Sequence, residues 1–217
     1  MIDLFNVFKY YKTRNGRKII LDNVSLSLQS GSSYGILGVN GAGKSTTMKL
    51  LAGSELPNSG TIRRNVRVSW PLGFSSGMHP NLTGRENVNF VARLYGQDPR
   101  KVTAFVDDFS DLGSNIDEPF GTYSSGMSQR LSFGLSMAIE FEVYLIDEVM
   151  AVGDAKFQAR CVEEFNKRRL RSDIIMISHS LDSIRDYCSR CLVVAHGIVY
   201  EFSNVNDAIE LYKKLNK

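Results

Sequence analysis

Gly38 to Ser45 read GVNGAGKS, followed by Thr46, and fit the spacing G-x-x-x-x-G-K-[ST] of a phosphate-binding loop. Tyr34, Gly35, Ile36 and Leu37 before the loop form the short apolar run of a buried strand, and Ser45 to Ala52 after it read as a helix. Strand, glycine loop, helix is the order that lets backbone N–H groups converge on one anion. Gly38, Gly41 and Gly43 allow the tight turn, and the helix start adds the positive end of its dipole. A triphosphate is the natural guest. Lys44 is placed to reach its β- and γ-phosphates, and the Ser45 hydroxyl to coordinate a Mg²⁺ that bridges them. Asn40, Ala42 and Thr46 belong to the same nucleotide-binding stretch.

A chain built on such a loop needs a parallel sheet, and the remaining pattern supplies strands and helices for one. Ile2, Leu4 and Val7, then Ile19, Leu21, Val24, Leu26 and Leu28, alternate as strands do around the polar turn Thr13 to Lys18, which predicts an antiparallel sheet edge. Tyr10 and Tyr11 stand beside that turn, where a flat ring can stack on a nucleobase. Gly53 ends the helix after the loop. Thr83 and Glu86 fit a capping box opening a second helix, with Val88, Val91, Ala92, Leu94 and Tyr95 at helical spacing. Pro99 to about Ser110 makes a third, with Val102, Phe105, Val106 and Phe109 on one face. These two helices interrupt the α/β pattern and suggest an inserted helical subdomain.

Tyr123 to Leu131, YSSGMSQRL, opens another helix, and Ser124 and Gly126 at its start make a second anion-ready site. Val143 to Ile146 form a buried strand ending in Asp147 and Glu148. At the end of a parallel strand near the phosphate loop, Asp147 can hold Mg²⁺ through its water shell and Glu148 can orient the attacking water. Asp154 precedes a helix from Ala155 to about Leu170 that turns Phe157, Cys161, Val162 and Phe165 inward. The strand Ile174 to Ile177 leads to His179, whose ring can donate to a γ-phosphate. Leu192 to Ala195 and Ile198 to Phe202 flank a hairpin turn at His196 and Gly197, and an amphipathic helix runs from Val205 to Leu215.

Composition sets the bounds on partners. A net charge of +3 from 26 Lys and Arg against 23 Asp and Glu provides no concentrated polycation for nucleic acid. Apolar runs such as Ile174 to Ile177 fall far short of the roughly 18 residues of a membrane span, so a membrane role is expected to be peripheral. The opening MIDLFNVFKYY has neither part of a signal peptide, and a cytoplasmic location is expected. Cys161, Cys188 and Cys191 are read as structural thiols in a reducing compartment, although Cys188 and Cys191 form a C-x-x-C.

With the phosphate loop, YSSGM before a helix, LIDE, Asp154 and His179 in this order, the chain resembles an ATP-binding cassette (ABC) protein over essentially its full length. The resemblance implies an α/β P-loop NTPase fold: a RecA-like parallel-sheet core, an N-terminal antiparallel β subdomain and a helical subdomain inserted at about 80–135, all within one cassette spanning 1–217. It places Lys44 and Ser45 on Walker A, Ser124 and Gly126 on the signature, Asp147 and Glu148 on Walker B, Asp154 on the D-loop and His179 on the switch histidine. Tyr11, or Tyr10 in its stead, takes the adenine-stacking position. It also implies a homodimer holding two ATP molecules with Mg²⁺ between two chains, because the signature of one copy completes the site of the other.

Departures from the common pattern narrow the branch. The signature reads YSSGM where LSGGQ is usual, and VMAVGDAKFQ follows Glu148 where a SALD turn is common. Both are similar to the ATPase subunits of capsular-polysaccharide exporters and their O-antigen and teichoic-acid relatives, and the short form is expected of the capsule branch. Such a subunit lies at the cytoplasmic face of the bacterial inner membrane beneath an integral-membrane permease. WPLGFSSGMHPN carries no glutamine where the Q-loop usually does, which leaves Phe74 or Ser75 at that place. A small-molecule exporter subunit, a soluble ABC ATPase and a nucleotide-dependent regulator without turnover are the rival readings.

Overall fold

In the computed structural model the alternating apolar residues near the start of the chain fold back on themselves as two long strands. The structure describes residues 1–14, 16–72, 77–147 and 154–216. In chain order the elements are β1 (Ile2–Thr13), β2 (Gly16–Leu28), β3 (Tyr34–Leu37), α1 (Lys44–Ala52), β4 (Ser59–Arg64), β5 (Val68–Pro71), α2 (Gly84–Leu94), α3 (Pro99–Ser110), α4 (Ser125–Ala138), β6 (Val143–Asp147), α5 (Ala155–Arg169), β7 (Asp173–Ile177), α6 (Leu181–Tyr187), β8 (Arg190–Ala195), β9 (Ile198–Phe202) and α7 (Val205–Leu215). Two short 3-10 turns, Gly113–Asp117 and Phe120–Thr122, precede α4. The chain divides into two compact units: Met1–Pro71 with Phe141–Glu148 and Ser172–Lys217, and Leu72–Glu140 with Val149–Arg171.

The first unit holds both sheets. One is antiparallel, in the order β2-β1-β4; the other has six strands in the order β5-β6-β7-β3-β8-β9. All neighbours in the second sheet are parallel except the β8–β9 hairpin. Parallel strands covered on both faces need continuous apolar runs, and β3 is buried at all four positions. Ile36, Leu145, Ile175, Leu192 and Val194 of this sheet share one core with Ile2, Leu4, Val7 and Leu21 of the other, and with Met48, Leu50 and Leu51 of α1. Within β5, the buried Ser69 hydroxyl donates to Trp70 O at 2.7 Å and accepts from Leu145 N at 2.9 Å, pinning β5 to β6.

The antiparallel edge expected from the early alternation forms, with β2 outermost, and the sheet continues past β1 to a strand the alternation does not reveal. That strand, β4, covers the other side of β1, and its mostly polar residues, SGTIRR, explain why it is faint in the hydrophobic pattern. The hairpin at His196 and Gly197 forms as expected, with φ of 50° and 83° at the two turn residues.

The second unit is helical. Its α2 has a complete capping box: Glu86 N donates to Thr83 Oγ1 at 3.1 Å, and Thr83 N to Glu86 Oε2 at 2.8 Å. Pro99 opens α3, Asp98 caps it through Arg100 N, and Val102, Val106 and Phe109 are buried along one face. Phe109 also packs against Phe133 of α4 and Phe157 of α5. Two apolar side chains expected inside lie outside: Leu94 on α2 and Val162 on α5 are exposed. Each sits at the edge of its helix's apolar stripe, beyond the arc the neighbouring helices cover.

Candidate functional site

Strand register sets one edge of the parallel sheet as the working edge. Ile36 of β3 pairs with Ile177 of β7, and Ile177 in turn with Asp147 of β6. The glycine loop leaves β3 immediately beyond this row, Asp147 lies in it, and His179 follows two residues after it. Carboxyl ends of parallel strands are where ligands meet such sheets. Asp147 is partly buried and His179 exposed.

The loop itself is shaped by contacts that tolerate only glycine at two places. A Cβ on Gly38 would lie 2.5 Å from the Val194 carbonyl oxygen, and one on Gly43 would lie 2.5 Å from Ile20 Cγ2 at a left-handed φ of 108°. Gly43 caps α1 with no side-chain cap hydrogen bond, and Thr47 N is the first amide to close onto it, at 2.8 Å. The N–H groups of Lys44, Ser45 and Thr46 therefore precede the helix's own ladder and are available to an anion. Lys44 Nζ donates back to Gly38 O at 2.8 Å and Val39 O at 3.4 Å, which holds the ammonium over the loop. Ser45 is exposed on the first turn, and its hydroxyl, like the Asp147 carboxylate, is an oxygen group of the kind that can hold Mg²⁺.

Tyr10 and Tyr11 have different surroundings. Arg17 lies over the Tyr10 ring, 4.4 Å from its centroid. Tyr11 instead donates from its hydroxyl to Glu55 Oε1 at 2.6 Å and stands 3.5 Å from Thr46 Oγ1 on α1. Tyr11 is thus the ring that borders the phosphate-loop helix.

In the second unit Ser124 is the N-cap of α4, its hydroxyl accepting from Met127 N at 3.3 Å. Tyr123, standing where the common motif has leucine, is anchored by a hydrogen bond from its hydroxyl to Asn115 O at 2.7 Å. Ser124 is exposed and Gly126 half-buried at this helix tip. Asp154 caps α5, accepting from Phe157 N at 2.9 Å, and pairs with Arg130 of α4 at 2.6 Å. The Phe157 amide, aided by the Arg130 charge, holds its carboxyl below the usual range. Glu148, Phe74 and Ser75 lie outside the described residues.

Lys9 stands in the same stretch as Tyr10 and Tyr11 in the sequence, but its contact with the Tyr11 ring, Glu55 as the ring's hydrogen-bond partner and Arg130 beside Asp154 are not read there. The Lys9 contact could have been found, since Lys9 lies two residues from Tyr11 on one strand; Glu55 and Arg130 are joined to their sites only by tertiary folding.

A glycine loop of this geometry between a central parallel strand and a helix defines a P-loop nucleotide-binding protein. The family model described as ABC transporter matches residues 21–151. "ATP-binding protein BexA" of Haemophilus influenzae is 46% identical over 217 residues, 100% of each chain. "Capsule polysaccharide export ATP-binding protein CtrD" of Neisseria meningitidis serogroup B is 44% identical over 215 residues, 99% of this chain and 100% of the relative. A solved ATP-binding cassette, described as a dimer in a post-hydrolysis state bound to ADP and Pi, has a TM-score of 0.74 at 21% identity and covers 93% of this chain and 97% of its own. The chain belongs to the ABC transporter family.

Proposed function

We propose that this chain binds and hydrolyses MgATP as one cassette spanning 1–217, with its helical subdomain at about 80–135, and that a homodimer of it drives capsular-polysaccharide export through a separate permease. The observation that carries this reading is the one sheet edge bearing the glycine loop, Asp147 and His179, in a chain matched over 99% of its length by a capsule polysaccharide export ATP-binding protein. In this reading the amides of Lys44, Ser45 and Thr46 hold the phosphates, with the backbone of Gly38, Asn40, Gly41, Ala42 and Gly43 as the cradle. Lys44 offsets charge on the transferring phosphoryl oxygens. Ser45, and Asp147 through a water shell, would hold Mg²⁺, which would supply positive charge to offset that of the phosphates. Glu148 orients the attacking water and takes its proton, while His179 donates to the γ-phosphate. Ser124 and Gly126 of the other copy close over the triphosphate, and Asp154 lies in the same interface.

No helix among the described residues is long and apolar enough to cross a membrane. The export-system relatives support a place at the cytoplasmic face of the bacterial inner membrane, held there by the permease. Glu148→Gln tests the reading: ATP should trap a dimer with turnover lost, and an unaltered ATPase rate would reject the catalytic role. For the cargo, deletion of the gene should leave capsule polymer inside the cell, and normal surface capsule would count against the assignment.

A further inference from the structure

An exposed aromatic ring reads a base well only if something fixes its orientation beforehand, since ordering a free side chain at the moment of binding costs affinity. Tyr11 is 38% exposed, so packing does not supply that restraint. Its hydroxyl does, through the 2.6 Å hydrogen bond to Glu55. The same Glu55 Oε1 lies 2.7 Å from Lys9 Nζ, in an ion pair whose side chains are 8% and 22% exposed. Lys9 Nζ also donates to Leu56 O at 2.8 Å and lies over the Tyr11 ring, 5.1 Å from its centroid. Glu55 follows the Gly53 cap of α1 and its amide donates to Lys49 O at 3.3 Å, so the carboxylate moves with the phosphate-loop helix. Burial pushes the Glu55 carboxyl up, but the hydrogen bonds from Lys9 and Tyr11 and the nearby lysine charges outweigh it and keep it ionised. A lysine this buried is retained in a surface strand only with its partner in place.

We propose that Lys9 and Glu55 are positioning residues that set the Tyr11 ring for the adenine base, in register with the helix that takes the phosphates. This rests on the reading of Tyr11 as the base-stacking residue. Stacking alone predicts that any aromatic at position 11 serves equally; the tether predicts that the hydroxyl matters as well.

The experiment compares affinity for the magnesium complex of the β,γ-imido analogue of ATP with affinity for magnesium tripolyphosphate, which has no base, by calorimetry on the intact chain. Tyr11→Phe, which keeps the ring, should weaken the nucleotide about fivefold and leave tripolyphosphate within about twofold of wild type. Glu55→Leu should show the same base-selective loss, and Glu55→Gln, which still offers an acceptor, should recover most of it. Wild-type affinity in Tyr11→Phe alongside a clear loss in Tyr11→Ala would overturn the tether while sparing the stacking role. No base-selective loss in Tyr11→Ala would overturn the stacking reading and the inference with it. Equal weakening of both ligands in Tyr11→Phe would place the network's effect on the phosphate loop and overturn the inference as well.

Discussion

Two helices of this protein begin at points proposed to meet a triphosphate, and they begin in opposite ways. At α1 the cap is Gly43, with no side chain to spend on the helix amides, and the glycines are held by the chain's own neighbours: Ile20 against Gly43 and the Val194 carbonyl against Gly38. At α4 the cap is Ser124, which closes onto Met127 N by itself. Among the described residues, apart from its chain neighbours and its own helix backbone, nothing lies within 4 Å of where a Cβ on Gly126 would stand. The phosphate loop is shaped from within, and the α4 tip has a glycine that its own fold does not require. In the proposed dimer, the room at Gly126 is where the other copy's triphosphate would approach.

Four substitutions break or sharpen this contrast. Lys44→Met should lower ATPase turnover on the order of 100-fold, because it removes the cation fixed over the loop; a steady-state phosphate-release assay reads it. Gly43→Ala puts a methyl group into Ile20 at a left-handed φ, and should cost about 2 kcal/mol of stability and about tenfold in nucleotide affinity, measured by thermal denaturation and calorimetry. Gly126→Ala is the reverse case: stability should stay within about 0.5 kcal/mol of wild type, while turnover and nucleotide-driven dimerisation fall severalfold. If Gly126→Ala unfolds the chain or leaves turnover intact, the contrast between the two tips fails. Thr83→Ala serves as the control at a helix start with no proposed ligand; losing the capping box should cost about 1 kcal/mol in thermal denaturation with turnover unchanged.

Most of the fold was legible because its signals are local. The capping box at Thr83, Pro99 at the start of α3, Gly53 after α1 and the buried run before the loop each act within a few residues, and their elements stand within a residue or two of where they were read. What the chain hid was tertiary. The short helix α6 and the polar strand β4 carry too little apolar periodicity to be seen alone, and both are held by contacts with distant segments. At the candidate site, residue types and order were readable, but which tyrosine borders α1 was not. Tyr10 and Tyr11 are equivalent as letters and differ only in that one meets Arg17 and the other Glu55 and Thr46.

Arg64 of β4 reaches the opposite end of α1, where its guanidinium donates to the carbonyls of Leu50 and Leu51. Since β4 pairs with β1, the strand bearing Tyr11, Arg64 ties the antiparallel sheet to the end of α1 away from the phosphate loop. The ordering cost of that tie falls in folding, before any nucleotide arrives.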